Sequence, residues 1–308
     1  MSNGEHFSRK AIDNAGARYK DHAELASDRA LLQAYRAFRC EVFPGIFEKL
    51  IRALDGAPVL LSGRIKRTDT VVRKLRRERA MALTFMDDIV GFRIIAPSPL
   101  VQRDAVQRLS ATLKLKTTRD YVSRPVETGY RAVHLVGIAP QTFPGGAAPA
   151  NLTYEIQIRT AYQHLWSTTS ESFGEQAKEG GGTDEQRAFL TDLSKRITEF
   201  EDSHPDENQQ APVYGELKMA YFTLIYDKPK GVLLESYPHL DNLSAALRHY
   251  EYLENLHSLN YSKEVVLLSA QSFQAELKIT HSRYFNFRGR PRLPAAIRSQ
   301  LPLPPDQT

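Results

Sequence analysis

Cysteine is almost missing from this chain: Cys40 is the only one in 308 residues. One cysteine excludes an internal disulfide framework and a cysteine-built zinc site, and it fits a reducing cytosol. Long apolar runs are missing too, and none approaches the roughly 20 residues that cross a bilayer. The first 20 residues are polar and lack the apolar stretch of a secretory signal. A cytoplasmic protein without a membrane partner is therefore expected. No internal repeat is visible. The charge is not one-sided: 41 basic and 36 acidic residues leave a net +5. That excess is compatible with nucleotides, RNA or other phosphate ligands and selects none of them. What the chain does have is ordinary for a soluble globular protein, with 42% hydrophobic and 25% charged residues. Its length favours two domains.

Residues 1–22 read as a flexible polar tail. Over residues 23–54 apolar positions recur at helical spacing, and Pro44-Gly45 divides the stretch into two helices. Residues 59–67 read as a short strand ending in basic residues, and 68–79 as a helix opened by an Asp or Thr cap. A nearly continuous apolar strand follows at 89–95, then a helix at 100–113, a strand at 131–138 and a turn-rich loop at 142–150. Residues 161–178 read as a helix stopped by Gly180-Gly181-Gly182, and 184–200 as an amphipathic helix. Residues 23–203 would thus form one domain. The polar, proline-bearing stretch 204–212 reads as a linker. Beyond it, strands at 217–226 and 231–236, a helix at 241–253, a strand at 264–268 and a helix at 272–284 outline a small ββαβα accessory domain over 213–285. An arginine- and proline-rich tail occupies 286–308. The expected class is α+β: a mixed sheet with flanking helices, plus the small C-terminal domain.

The most telling stretch is Tyr154-Glu155-Ile156-Gln157-Ile158-Arg159-Thr160. Strict alternation writes a half-buried strand, with Tyr154, Ile156 and Ile158 toward a core. Glu155, Gln157 and Arg159 then share the other face. Such a face is either a solvated sheet surface or a place for an anionic ligand held with a divalent metal. Four other groups bear on that choice. Arg64 and Lys66 alternate along the basic strand, and Arg73, Lys74, Arg76 and Arg77 follow on a helix, a set able to converge on a triphosphate. Asp87-Asp88 stands at the mouth of the apolar strand, where a carboxylate can reach magnesium shared with phosphates. Tyr130, between Gly129 and Arg131, can stack on a purine, with Arg131 and His134 near phosphate or ribose. His164 lies about one helical turn past the Glu155 strand. Each group also has a plain structural reading, as a solvated face, a strand cap or a packed ring.

Taken in order, the pieces GRIK, TVVRKLRR, DIVGFRI, RDY…TGYRAVH and EIQIRT..QH.W resemble the synthetase domain of the RelA/SpoT-homologue family, over residues 60–173. The resemblance implies a nucleotidyltransferase-like fold. It also implies a pyrophosphokinase that moves pyrophosphate from ATP to the ribose 3′-hydroxyl of GDP or GTP, making the alarmone (p)ppGpp. By the same resemblance, Arg64, Lys66, Lys74 and Arg77 contact the ATP phosphates. Asp88 and Glu155 hold Mg2+, and Glu155 also activates the 3′-hydroxyl. Tyr130 stacks on the acceptor guanine, His134 and Arg131 lie near the acceptor, and Gln157, Arg159 and His164 line the cleft. Thr128, Arg73 and Ser170-Glu171 depart from the family's usual residues, which bears on acceptor choice. No His-Asp hydrolase signature is present, so a synthetase without its own alarmone hydrolase is expected. Two alternatives stand beside this reading. One is a toxic family member that pyrophosphorylates the 3′ end of tRNA or adenine nucleotides, with Arg9, Lys10, Arg18, Lys20, Arg288, Arg290, Arg292 and Arg298 holding RNA and an antitoxin protein neutralising it. The other is a catalytically inactive nucleotide-binding module. An oligomer is compatible with either.

Overall fold

The computed structural model describes residues 8–142, 149–173, 182–209, 220–240, 242–257 and 262–270, with Leu277, Thr280 and His281. Eight helices are described: α1 Arg9–Lys20, α2 Ala26–Cys40, α3 Phe43–Ala53, α4 Thr68–Arg77, α5 Pro99–Thr112, α6 Ala161–Ser172, α7 Asp184–Ser203 and α8 Leu243–Leu256. Eight strands accompany them: β1 Leu60–Ile65, β2 Val90–Ala96, β3 Leu115–Asp120, β4 Val133–Thr142, β5 Pro149–Thr160, β6 Ala220–Asp227, β7 Val232–Leu240 and β8 Lys263–Ala270.

All eight strands belong to one sheet, in the order β3-β4-β5-β2-β1-β8-β6-β7. Only β2 and β5 run parallel; the other neighbours are antiparallel. The mixed sheet with flanking helices is the expected α+β architecture. Alternation along β5 works as read: Tyr154, Ile156 and Ile158 are buried in the main core with Phe92, Leu135, Phe43, Phe47, Leu109 and Tyr250. Helices α3, α5 and α8 thereby cover one face of the sheet. Gly63 permits the close approach of α3, because a Cβ there would lie 2.3 Å from the ring of Phe43. Pro44 sits in the first turn of α3, where its missing N–H is harmless, so it opens a helix rather than breaking one.

Four expectations need correction. The supposed N-terminal tail contains α1, whose Ile12, Ala15, Gly16 and Tyr19 are buried at helical spacing. They pack with α2 and α4 in a second cluster around Leu32, Val71 and Leu75. Residues 204–209 are docked, not a free linker: Leu100 N–H donates to Pro205 O (2.9 Å), and Gln209 N–H donates to Pro97 O (2.7 Å). The cap of α4 is neither Asp nor Thr; the preceding residue is Arg67, whose side chain bonds no backbone group of the first turn. Finally, β6–β8 do not form a sheet of their own. Strand β8 pairs with β1 across Ser62, Gly63 and Arg64, covering backbone groups that an edge strand would leave open. The remainder of the expected linker, the last helix over 272–284 apart from three residues, and the basic tail 286–308 lie outside the described residues.

Candidate active site

The pairing of β1, β2, β4 and β5 decides which side chains meet. Parallel register sets Gly91 beside Glu155 and Arg93 beside Gln157. Antiparallel register sets Arg64 beside Gly91 and Ser62 beside Arg93, and His134 beside Gln157. Asp88 lies just before β2. The result is a recess of about 290 Å³, counting its open mouth, lined by Arg64, Asp88, Arg93, Glu155, Gln157 and His281 among others. Both acids singled out in the sequence therefore face one space.

Asp88 accepts from Lys66 Nζ at 2.6 Å and from Lys74 Nζ at 3.0 Å. Burial alone would raise its pKa, but the two ammonium groups outweigh burial and hold it well below the carboxylate range. Burial wins at Lys66, whose ammonium lies below the usual lysine range despite Asp88. The neighbouring Asp87 turns instead to Lys116, at 2.8 Å.

Glu155 sits in a closed ring of hydrogen bonds. Its Oε1 lies 3.0 Å from His134 Nδ1, and His134 Nε2 lies 2.7 Å from Tyr130 OH. Arg159 Nη2 donates to Tyr130 OH at 2.7 Å and to Gln157 Oε1 at 2.9 Å. Gln157 Nε2 donates to Glu155 Oε2 at 3.0 Å, closing the ring. Burial raises the Tyr130 hydroxyl above its ordinary pKa, so at neutral pH it is a protonated donor. Its O–H donates to His134 Nε2, which leaves Nδ1–H to donate to Glu155; this tautomer is assigned from the network. Every donor thus runs toward one carboxylate. Burial pushes the Glu155 pKa up, but His134 and Gln157 more than compensate, bringing it down to about 2.

The Tyr130 ring is held edge-on by Tyr121, His134 and Trp166, with the Arg159 guanidinium 5.1 Å from its centroid. Gly129 adopts a left-handed φ of +86°, and its carbonyl accepts from Ser194 Oγ at 2.6 Å, which ties the loop to α7. Of the candidates, Arg64, Asp88, Glu155 and Gln157 line the recess, Lys66 and Lys74 join it through Asp88, and Tyr130, His134 and Arg159 through the ring on Glu155; the others do not come to it. Arg77 pairs with its neighbour Glu78 on the exposed side of α4, and Arg131 donates to Thr198 on α7. His164 is buried on α6, near enough to His281 to act on its charge. Two titratable lining residues carried no role in the sequence reading, Arg93 and His281. Arg93 had a signal: a guanidinium inside Val-Gly-Phe-Arg-Ile-Ile must face something polar. Burial, then Arg159 and Arg64, lower its pKa to about 9.

Residues 63–174 match the family described as "Region found in RelA / SpoT proteins". The chain carries a RelA/SpoT region. Among curated proteins, it is 32% identical over 126 residues to "GTP pyrophosphokinase YjbM" of Bacillus subtilis (strain 168), covering 38% of this chain and 57% of that protein. It is 29% identical over 112 residues to "GTP pyrophosphokinase YwaC" of the same organism, covering 34% and 52%. The chain thus spans little more than half the length of these curated relatives. Among solved structures, a "GTP Pyrophosphokinase Family Protein from Streptococcus pneumoniae" is similar over 56% of this chain and 90% of that one, with 20% identity and a TM-score of 0.49. Asp88, Glu155, the ring partners Tyr130, His134, Gln157 and Arg159, and the packing residues Tyr121 and Trp166 all lie inside the matched residues 63–174. His281 lies outside them.

Proposed function

We propose that the RelA/SpoT region of this chain is an ATP-dependent pyrophosphokinase whose acceptor is the ribose 3′-hydroxyl of a guanine nucleotide, GDP or GTP. The observation that carries this reading is the shared recess of Asp88 and Glu155, two ionised acids beside Arg64 and the Asp88-bound Lys66 and Lys74. Diphosphate transfer asks a protein for positioning, charge neutralisation and a proton acceptor. Arg64, exposed at the mouth, and the two lysines supply the positive charge for the donor's phosphates. The acceptor oxygen bonds to the β-phosphorus of ATP as the bond to the α–β bridging oxygen breaks, and AMP leaves.

Glu155 takes the hydroxyl proton. At a pKa of about 2 it is a weak base, and its basicity rises once His134 or Gln157 turns its donor to the incoming nucleotide. The acceptor purine would stack on Tyr130, contributing roughly 1–3 kcal/mol. The donor set suits magnesium: two carboxylates with phosphate oxygens completing the shell. Held by Asp88 and Glu155, magnesium would neutralise polyphosphate charge.

Incubation with magnesium and ATP labelled in its γ-phosphate, separately with GDP, GTP, AMP and uncharged tRNA, tests the reading. Label is expected on GDP or GTP. Label on tRNA or AMP alone would replace the acceptor and keep the reaction. No transfer to any of the four would reject it.

A further inference from the structure

We infer that His281, contributed from beyond β8, contacts the donor nucleoside triphosphate in the recess through its Nε2. This rests on the pyrophosphokinase reading and adds to it a contact from outside the RelA/SpoT region. His281 is 6% exposed and lines the recess together with Arg64, Asp88 and Glu155. Its Nδ1 lies 2.9 Å from Thr280 Oγ1, whereas its Nε2 has no hydrogen-bond partner. A buried ring nitrogen left unpaired costs free energy, and a ligand that pairs it recovers that cost. Beside the charged Arg64, Asp88, Arg93 and Glu155, the amide Gln157 and the hydroxyl of Ser62, the imidazole is a distinct, neutral group. Burial, followed by the positive charge of Arg93 and Arg64, holds its pKa well below the ordinary histidine value.

The position of His281 is anchored. Its N–H donates to Leu277 O at 2.9 Å. Leu277 is fully buried among Phe222, Leu224, Val266 and Leu268 of the C-terminal strands. The Thr280 carbonyl accepts from Arg93 Nη1, so the same turn also orients a second lining residue. Arg64, the strand residue on the donor side, pairs with Leu268 of β8. Strand β8 ends at Ala270 opposite Ser62, which pairs with Arg93, so the turn enters the recess at Arg93, two residues along β1 from Arg64.

His281→Ala and His281→Gln in the full chain test the inference, with thermal melting to confirm folding. Transfer kinetics are read against calorimetric binding of magnesium and a non-hydrolysable ATP analogue. For His281→Ala we expect the analogue's Kd and the KM for ATP to rise about tenfold, with kcat and the acceptor KM changed less than twofold. His281→Gln, which keeps a hydrogen-bonding group, is expected to recover at least part of that loss. Unchanged Kd and KM in His281→Ala would overturn the inference, as would tighter binding or faster turnover, which would mean that the turn obstructs the donor. Analogue binding by wild type without transfer would reject the activity alone, and the Kd comparison would still decide the role of His281.

Discussion

Glu155 shows how a side chain's chemistry follows from its strand neighbours. Period-two alternation puts it on the polar face of β5 with Gln157 beside one oxygen, and the register of β4 brings His134 to the other. The alternation was legible because it is local. The ring through Tyr130 and Arg159 was not, since it depends on which strands pair. Arg93 lay between these cases, its charge in an apolar strand being visible and its partner Thr280 not. The depressed pKa has a thermodynamic consequence. A carboxylate whose folded pKa is lowered stabilises the fold above its unfolded value and loses that contribution as pH falls through the folded one. For Glu155 the window runs from about pH 4 to about 2, and the shift corresponds to something on the order of 3 kcal/mol. Urea unfolding from pH 5 to pH 2 should therefore show a shallower fall in stability for Glu155→Gln than for wild type; parallel curves would contradict this origin of the shift.

Among the elements, α4 depends most plainly on distant sequence. It carries Lys74, yet no side chain of its own N-cap residue bonds its first turn. Glu254 of α8 does so instead, accepting from Thr68 N–H at 3.2 Å and Thr68 Oγ1 at 3.0 Å. Arg36 of α2 completes the node, donating to Glu254 at 2.9 Å, Tyr250 OH at 2.8 Å and Lys66 O at 2.9 Å. Removing one partner of such a buried pair costs roughly 3–5 kcal/mol, whereas replacing both with apolar groups is often near neutral. Glu254→Ala should lower unfolding free energy by an amount in that range, and Arg36→Met with Glu254→Leu should restore most of it. A surface-sized effect below about 0.5 kcal/mol would show that the node is not the tie described here. The helices α2 and α3 were readable from periodicity because their apolar positions recur at helical spacing. Strand β3 was not, because Leu115–Asp120 is a largely exposed, polar edge, and α1 escaped because its four buried positions sit among charged ones.

At the scale of the molecule, one sheet joins the RelA/SpoT region to the strands that follow it. The sequence shows a composition change and a proline-bearing stretch after α7, which local rules read as a domain boundary. Pairing of β8 with β1 overrides that reading, and no local signal encodes a contact between segments so far apart. The join matters for function, because it sets α8 against the start of α4 and His281 in the recess. The central claim remains the joint action of Asp88 and Glu155 on one substrate pair. Its most direct test is the rate of labelled diphosphate transfer to GDP by Asp88→Asn and Glu155→Gln, each checked by thermal melting. Removal of a group that acts on the reacting phosphates or hydroxyl is expected to slow transfer by about 100-fold or more, with both variants still folded at the assay temperature. Wild-type turnover by either folded variant would contradict the account.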